Sequence, residues 1–189
     1  MNGCRIIQRI LERFEGQEVP FVLTEVLAKI TDLRTNSYGN YVVSHILEFG
    51  GEKDKSKIIE EILDDIVELS LHKFGSNVVE KCLMFAPAYQ KKEIIDRIVS
   101  APPVHANHSN TIAELMQSKY GNYVVQRAFE MSDSDRRDIL LKKIEYVVAE
   151  GQANPKRAHA KHIFTFLETK FNVKFSFSQT EGVEEFKQS

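Results

Sequence analysis

Four short segments of this chain carry polar side chains at positions i, i+1 and i+4: Cys4, Arg5 and Gln8; Asn40, Tyr41 and Ser44; Ser76, Asn77 and Glu80; Asn122, Tyr123 and Gln126. On a helix, i and i+4 are neighbours, so the first and third members of each set stand together and offer donors and acceptors to one planar hydrogen-bonding edge. The middle member lies about 100° around the helix, where a tyrosine or a guanidinium supplies a flat stacking surface. A basic or imidazole residue follows each set, at Arg9, His45, Lys81 and Arg127. These four would border the stripe as a basic rail. Solvated helix edges are often basic as well, and on the residues alone both readings stay open.

Nothing comparable points to catalysis. The chain has no Walker loop, dinucleotide fingerprint, HExxH or GxSxG elbow, and the adjacent acids Asp64 and Asp65 point apart on a helix. His105 and His108 lie three apart in a Pro-flanked loop with no further ligands nearby, which reads as a solvated pair and not a metal site. No metal, cofactor or enzymatic activity is expected.

The elements that hold these residues are helical. Around SYGNYVVSHILE, Val42, Val43, Ile46 and Leu47 form one continuous apolar face, and Asn40, Tyr41 and Ser44 form one outward stripe. The pattern returns in NGCRIIQRIL, FGSNVVEKCL and YGNYVVQRAF, with glycines at 3, 39, 75 and 121, hence intervals of 36, 36 and 46. A recurring period of this size is the mark of a solenoid, in which each unit buries its face against its neighbours. The longer third interval holds a loop around residues 101–110, and HAKHIFTFLE, with alanine in place of the glycine, reads as a terminal cap. Between the marked segments, residues 21–33, 56–71, 90–99, 111–118 and 136–150 show apolar spacing of three and four, so each reads as a helix. Pro87, Pro102, Pro103 and Pro155 fall between periodic segments. The alternation of VKFSF, residues 173–177, reads as the one short strand, within a polar tail over 172–189 that is expected to be partly disordered.

The 189 residues, 42% of them hydrophobic, suffice for one elongated domain. The absence of an apolar run near 20 residues or a signal-peptide core leads to the expectation of a soluble, cytoplasmic protein without a membrane partner. Cys4 and Cys82 occupy nonequivalent positions and suggest no disulfide; Cys82 reads as core. The sequon at Asn107 has no meaning without secretion. A net charge of −2 is not the footprint of a nucleic-acid binder, so such a role would rest on how charge is distributed.

The segments GCRIIQRILE, YGNYVVSHILE, HKFGSNVVEKC and KYGNYVVQRAFE resemble the last four repeats of a Pumilio-type (PUF) RNA-binding domain, and AKHIF resembles its closing half-repeat. The resemblance implies an all-α, right-handed solenoid with three helices per repeat of about 36 residues. Its divisions would be a partial repeat over about 1–20, repeats over 21–56, 57–100 and 101–150, and a closing half-repeat over 151–171. In that family the second helix of each repeat lines a concave surface, and one repeat holds one base of single-stranded RNA. The residue roles follow by resemblance. Asn122 and Gln126 read uracil, Ser76 and Glu80 guanine, and Cys4 and Gln8 adenine, while Asn40 and Ser44 face the third base. Arg5, Tyr41, Asn77 and Tyr123 stack, and Arg9, His45, Lys81 and Arg127 lie along the RNA backbone. The implied element is 5′-U-G-N-A, a variant of the family's U-G-U-A core in mRNA 3′ untranslated regions. Its third base is open because Ser44 is shorter than the glutamine expected there. The implied role is post-transcriptional repression, with a protein co-repressor at the 101–110 loop and the outer face. A helical-repeat scaffold that binds only protein is the rival reading; such a scaffold has no reason to repeat a stacker between two edge readers. The chain starting at a marked helix suggests a fragment of a longer domain, with Ile6, Ile7, Ile10 and Leu11 lacking an upstream neighbour.

Overall fold

A computed structural model describes residues 2–14, 20–154 and 158–175, and among them every regular element is an α-helix. They are α1 (Asn2–Arg13), α2 (Pro20–Leu27), α3 (Ile30–Leu33), α4 (Gly39–Phe49), α5 (Glu52–Ile62) and α6 (Ile66–Leu71). They continue as α7 (Gly75–Phe85), α8 (Ala88–Ser100), α9 (Thr111–Gln117), α10 (Gly121–Met131), α11 (Ser134–Ala149) and α12 (Ala158–Phe171). The four marked segments are α1, α4, α7 and α10, which pack side by side as a front row that α12 extends. Behind them, α2 meets α5, and α8 meets α11. The side chain of Gln90 on α8 donates to the Ser56 carbonyl of α5 at 3.1 Å. The short helices α3, α6 and α9 each deliver the chain into the front row, packing against α4, α7 and α10 respectively. One apolar core runs the length of the stack, from Leu11 through Ile46, Ile62, Leu83, Ile98 and Phe129 to Leu167.

Two spans expected as single helices are broken. Residues 21–33 divide into α2 and α3 at Ala28 and Lys29, and residues 56–71 divide into α5 and α6 at Leu63 to Asp65. Ile62 and Ile66 are both buried on either side of the second break, so both pieces feed the same core and apolar periodicity does not register the corner. The expected strand is absent as far as Phe175; residues 176 and 177 lie outside the described residues. Asn172, at φ 54°, turns the chain left-handed at the end of α12, and the Val173 amide returns to the Leu167 carbonyl at 3.2 Å. Val173 and Phe175 thereby pack back on the core, with the Phe175 ring edge-on to Phe164. Of the N-terminal residues expected to lie uncovered, Leu11 is fully buried and Ile7 half-buried, because α4 covers that side of α1. Ile6, Phe14 and Phe21 are exposed.

The recurrent glycine has a packing cause. A Cβ on Gly39 would stand 2.7 Å from the Leu33 carbonyl oxygen and 2.8 Å from its Cα; on Gly75 and Gly121 it would stand 2.8 and 2.9 Å from the carbonyl oxygens of Leu69 and Leu115. Backbone is what blocks the space, so no rotamer change relieves the clash. Gly3 meets nothing within 4 Å. Gly75→Ala is therefore expected to lower stability by ~1–3 kcal/mol, the usual cost of overpacking. Gly3→Ala is expected to leave the melting temperature unchanged or slightly raised. Thermal unfolding of the two variants side by side checks the contrast.

Candidate nucleic-acid interface

Each front-row helix from α4 onward starts under a side chain placed three residues before its glycine. Asn36 Oδ1 accepts from the amides of Tyr38 and Gly39 at 2.9 and 3.0 Å. His72 Nδ1 accepts from Phe74 and Gly75, both at 3.2 Å, and Ser118 Oγ accepts from Tyr120 and Gly121 at 3.2 and 3.1 Å. Three unlike residues perform one task, which hid the position in the sequence; counting back from the glycines would have exposed it. These caps satisfy amides otherwise left open at a helix start and hold the first turn, on which the first edge residue stands.

The polar set is not one outward stripe. Asn40 and Asn122 are each 1% exposed, and Ser76 and Ser44 are also buried, whereas Tyr41 and Tyr123 are 53% and 50% exposed. The neighbouring front-row helices flank the i and i+4 positions, while i+1 projects beyond them. The result is a row of polar recesses separated by exposed side chains at 41, 77 and 123. On α1, Cys4 and Gln8 are half-buried and Arg5 is exposed, which repeats the pattern more loosely.

Within the recesses the hydrogen bonding differs. Asn122 Nδ2 donates to the carbonyls of Ser118 and Lys119 at 2.9 and 3.0 Å, and its Oδ1 accepts from Gln126 Nε2 at 3.2 Å. The two amides form one braced pair. Asn40 Nδ2 likewise donates to the Asn36 carbonyl at 2.8 Å, but its Oδ1 is buried with no donor, because Ser44 stands where Gln126 stands in the other recess. An unpaired buried acceptor is costly, so this oxygen is a ready acceptor for an incoming N–H. In the third recess burial pushes the Glu80 carboxyl above its ordinary range, opposed by the nearby charges of Arg127 and Lys81.

The basic rail exists but is not free charge. Arg9 pairs with Glu12 at 2.7 Å, His45 approaches Glu12 at 3.5 Å, Lys81 pairs with Glu48 at 2.5 Å, and Arg127 pairs with Glu130 at 2.5 Å. His45 Nδ1 also lies 3.0 Å from the Tyr41 carbonyl. These acids recur nine residues after the glycines at 3, 39 and 121, a second signal that counting from the glycine reveals.

The 101–110 loop is moored to α9. Buried Glu114 accepts from the amides of Val104 and His105 at 2.8 and 3.0 Å, and His105 Nδ1 lies 2.5 Å from Glu114 Oε1. His105 is thus paired and not simply solvated, because the buried carboxylate draws the loop onto it. No group of histidine, cysteine and acidic residues suited to a metal occurs among the described residues. No described helix is long and apolar enough to cross a membrane.

A two-layered row of repeated helices, each unit packed on its neighbours, is an α-helical repeat solenoid. The Pumilio-family RNA binding repeat matches residues 1–27, 35–63, 65–99 and 112–145, and the chain belongs to that family; it is not an enzyme. It is 47% identical over 151 residues to the mRNA-binding protein puf3 of Schizosaccharomyces pombe, which is 80% of this chain and 20% of that protein. It is 32% identical over 172 residues to Pumilio homology domain family member 4 of Saccharomyces cerevisiae, covering 88% of this chain and 18% of that one. The fold superposes on PUF-8 in complex with PBE-RNA with a TM-score of 0.76 at 31% identity, over 89% of this chain and 47% of that one. It superposes on the Puf3 RNA binding domain bound to a Cox17 3′ UTR site with a TM-score of 0.73 at 20% identity. The chain thus spans about a fifth of these curated relatives and less than half of the PUF-8 chain.

The two cysteines sit in opposite environments. Burial pushes the Cys82 thiol up and leaves it inaccessible, while Cys4 is half-buried at the edge of the first recess. A chromogenic disulfide reagent is expected to titrate one thiol per native chain and the second only in denaturant. Fast reaction of both in the native state would show that α7 is not packed as described.

Proposed function

We propose that the front row binds single-stranded RNA sequence-specifically, reading 5′-U-G-N-A with α10 on the 5′ base and α1 on the 3′ base. The observation that carries this reading is the alternation of exposed planar side chains with buried polar pairs. A base laid against Tyr41 or Tyr123 contributes ~1–3 kcal/mol by stacking while its edge reaches into the recess beside the ring. Asn122 with Gln126 suits uracil, whose edge carries carbonyls and one imino N–H. The Glu80 carboxylate accepts from both the ring N–H and the exocyclic amine of guanine, and Gln8 bonds the adenine edge beside Cys4. Asn77 and Arg5 complete the stacking series. The unpaired Asn40 Oδ1 supports a base at the third position as well.

The recesses would supply specificity and the rail the weaker part of affinity, since Arg9, His45, Lys81 and Arg127 already lie against acids. We read the repeat divisions as above, and the target as mRNA 3′ untranslated regions in the cytoplasm with repression as the outcome. The moored 101–110 loop then offers a fixed outer surface for a co-repressor.

The departure at Ser44 provides the test. Serine offers one hydroxyl at short reach, so the third base is expected to be tolerated in all four forms, with contact bridged by water. Fluorescence binding of the four third-base RNAs should show little discrimination in the unmodified protein, and Ser44→Gln should add a uracil preference of ~1 kcal/mol or more. Discrimination at the third base already as sharp as at the second would reject the assignment of Asn40 and Ser44. No preference for any U-G-N-A RNA over an unrelated sequence would reject the function.

A further inference from the structure

The acids nine residues after the glycines at 3 and 39 join adjacent front-row helices. Glu12 meets His45 of α4 at 3.5 Å, and Glu48 meets Lys81 of α7 at 2.5 Å. At the next step the same position is Met84, so Arg127 of α10, equivalent to His45 and Lys81, finds no acid at that position of α7. Its terminal nitrogen turns to Glu130 on its own helix at 2.5 Å. Its Nε, buried and without a hydrogen bond, faces Glu80 Oε2 at 3.9 Å. Glu130 is in turn fixed by Lys170 of α12 at 2.7 Å, so the arginine is braced from behind.

We propose that Arg127 is a positioning residue for base selection by Glu80, holding that carboxylate from the neighbouring repeat, so that the base chosen by one repeat depends on a side chain of the next. This rests on the reading of Glu80 as the guanine reader. At that reader a carboxylate serves both guanine donors, whereas a protonated carboxyl turns one of its two oxygens into a donor. Burial favours the protonated form, and Arg127 is the first of the charges opposing it, ahead of Lys81. Lys81 is already engaged by Glu48. The other groups around this point are Glu130 beside Arg127 on α10, and His45 and Glu48 on α4 behind Lys81; Met84 contributes no charge. Loss of Arg127 therefore raises the Glu80 pKa further, and guanine preference, which needs the carboxylate, is lost at a higher pH as the solution is acidified. A residue that only touched the RNA backbone would weaken all sequences equally and leave that pH profile unmoved.

The experiment compares unmodified protein, Arg127→Gln and Arg127→Lys on U-G-N-A RNA and the same RNA with adenine at the second base, across a pH series. Arg127→Gln is expected to reduce the guanine-over-adenine ratio by about fivefold or more, the lower end of an edge contact. Its loss of guanine affinity should begin at higher pH than in unmodified protein, and Arg127→Lys, which keeps the charge, should restore much of the ratio. Equal weakening on both RNAs with an unmoved pH profile overturns the inference while leaving Glu80 as reader. An unmodified protein without guanine preference overturns the reading of Glu80, and the inference with it.

Discussion

Between each short helix and the front-row helix that follows it, two backbones touch. The Leu33, Leu69 and Leu115 carbonyls lie where a side chain on Gly39, Gly75 or Gly121 would begin. That contact fixes the corner at which α4, α7 and α10 start, and the capping side chains of Asn36, His72 and Ser118 lock the first turn. The next residue is the first of the polar pair, the proposed edge reader. The corner recurs in three repeats, and in each Asn40, Ser76 or Asn122 is buried while the residue after it is exposed. A spacing of one recess per repeat follows from the corner before any ligand contact is considered.

The chemistry of the row is mostly neutral. The net charge is −2, and Arg9, Lys81 and Arg127 beside the recesses each pair with an acid. Stacking and edge contacts, which resist salt, therefore dominate over counterion release in the proposed binding mode. Glu12 with His45 and Glu48 with Lys81 knit adjacent helices together, and where Met84 interrupts that series Arg127 lies 3.9 Å from Glu80. Exposed ion pairs of this kind add little stability each, on the order of 0–1 kcal/mol, so their main effect is to orient side chains.

The repeat, its helices and the position of each polar set were legible in the sequence because one apolar face recurs at a near-constant interval. What was not legible concerns depth and partnership. Wheel geometry put Asn40, Tyr41 and Ser44 on one face, but only the flanking helices decide that Tyr41 projects while Asn40 and Ser44 are recessed. Residues 56–71 kept their periodicity through a corner because Ile62 and Ile66 enter the same core from two helices. The alternation at Val173 to Phe175 mimicked a strand, yet the left-handed turn at Asn172 folds those residues onto α12. Two partners of the rail, Glu12 for His45 and Glu48 for Lys81, lie on the preceding front-row helix, which a reading confined to one helix does not bring together.

The account stands on one recess choosing one base through a named side chain, and Glu80 is where that choice is most chemically definite. The decisive measurement is the affinity of Glu80→Gln for U-G-N-A RNA and for the three variants at its second base. Glutamine is nearly isosteric but carries one acceptor and an amide donor in place of two acceptors. The expected result is a loss of ~1–3 kcal/mol confined to the guanine RNA, with a narrowed gap to uracil. An equal loss on all four RNAs would contradict the account, since Glu80 would then shape the helix row without reading a base.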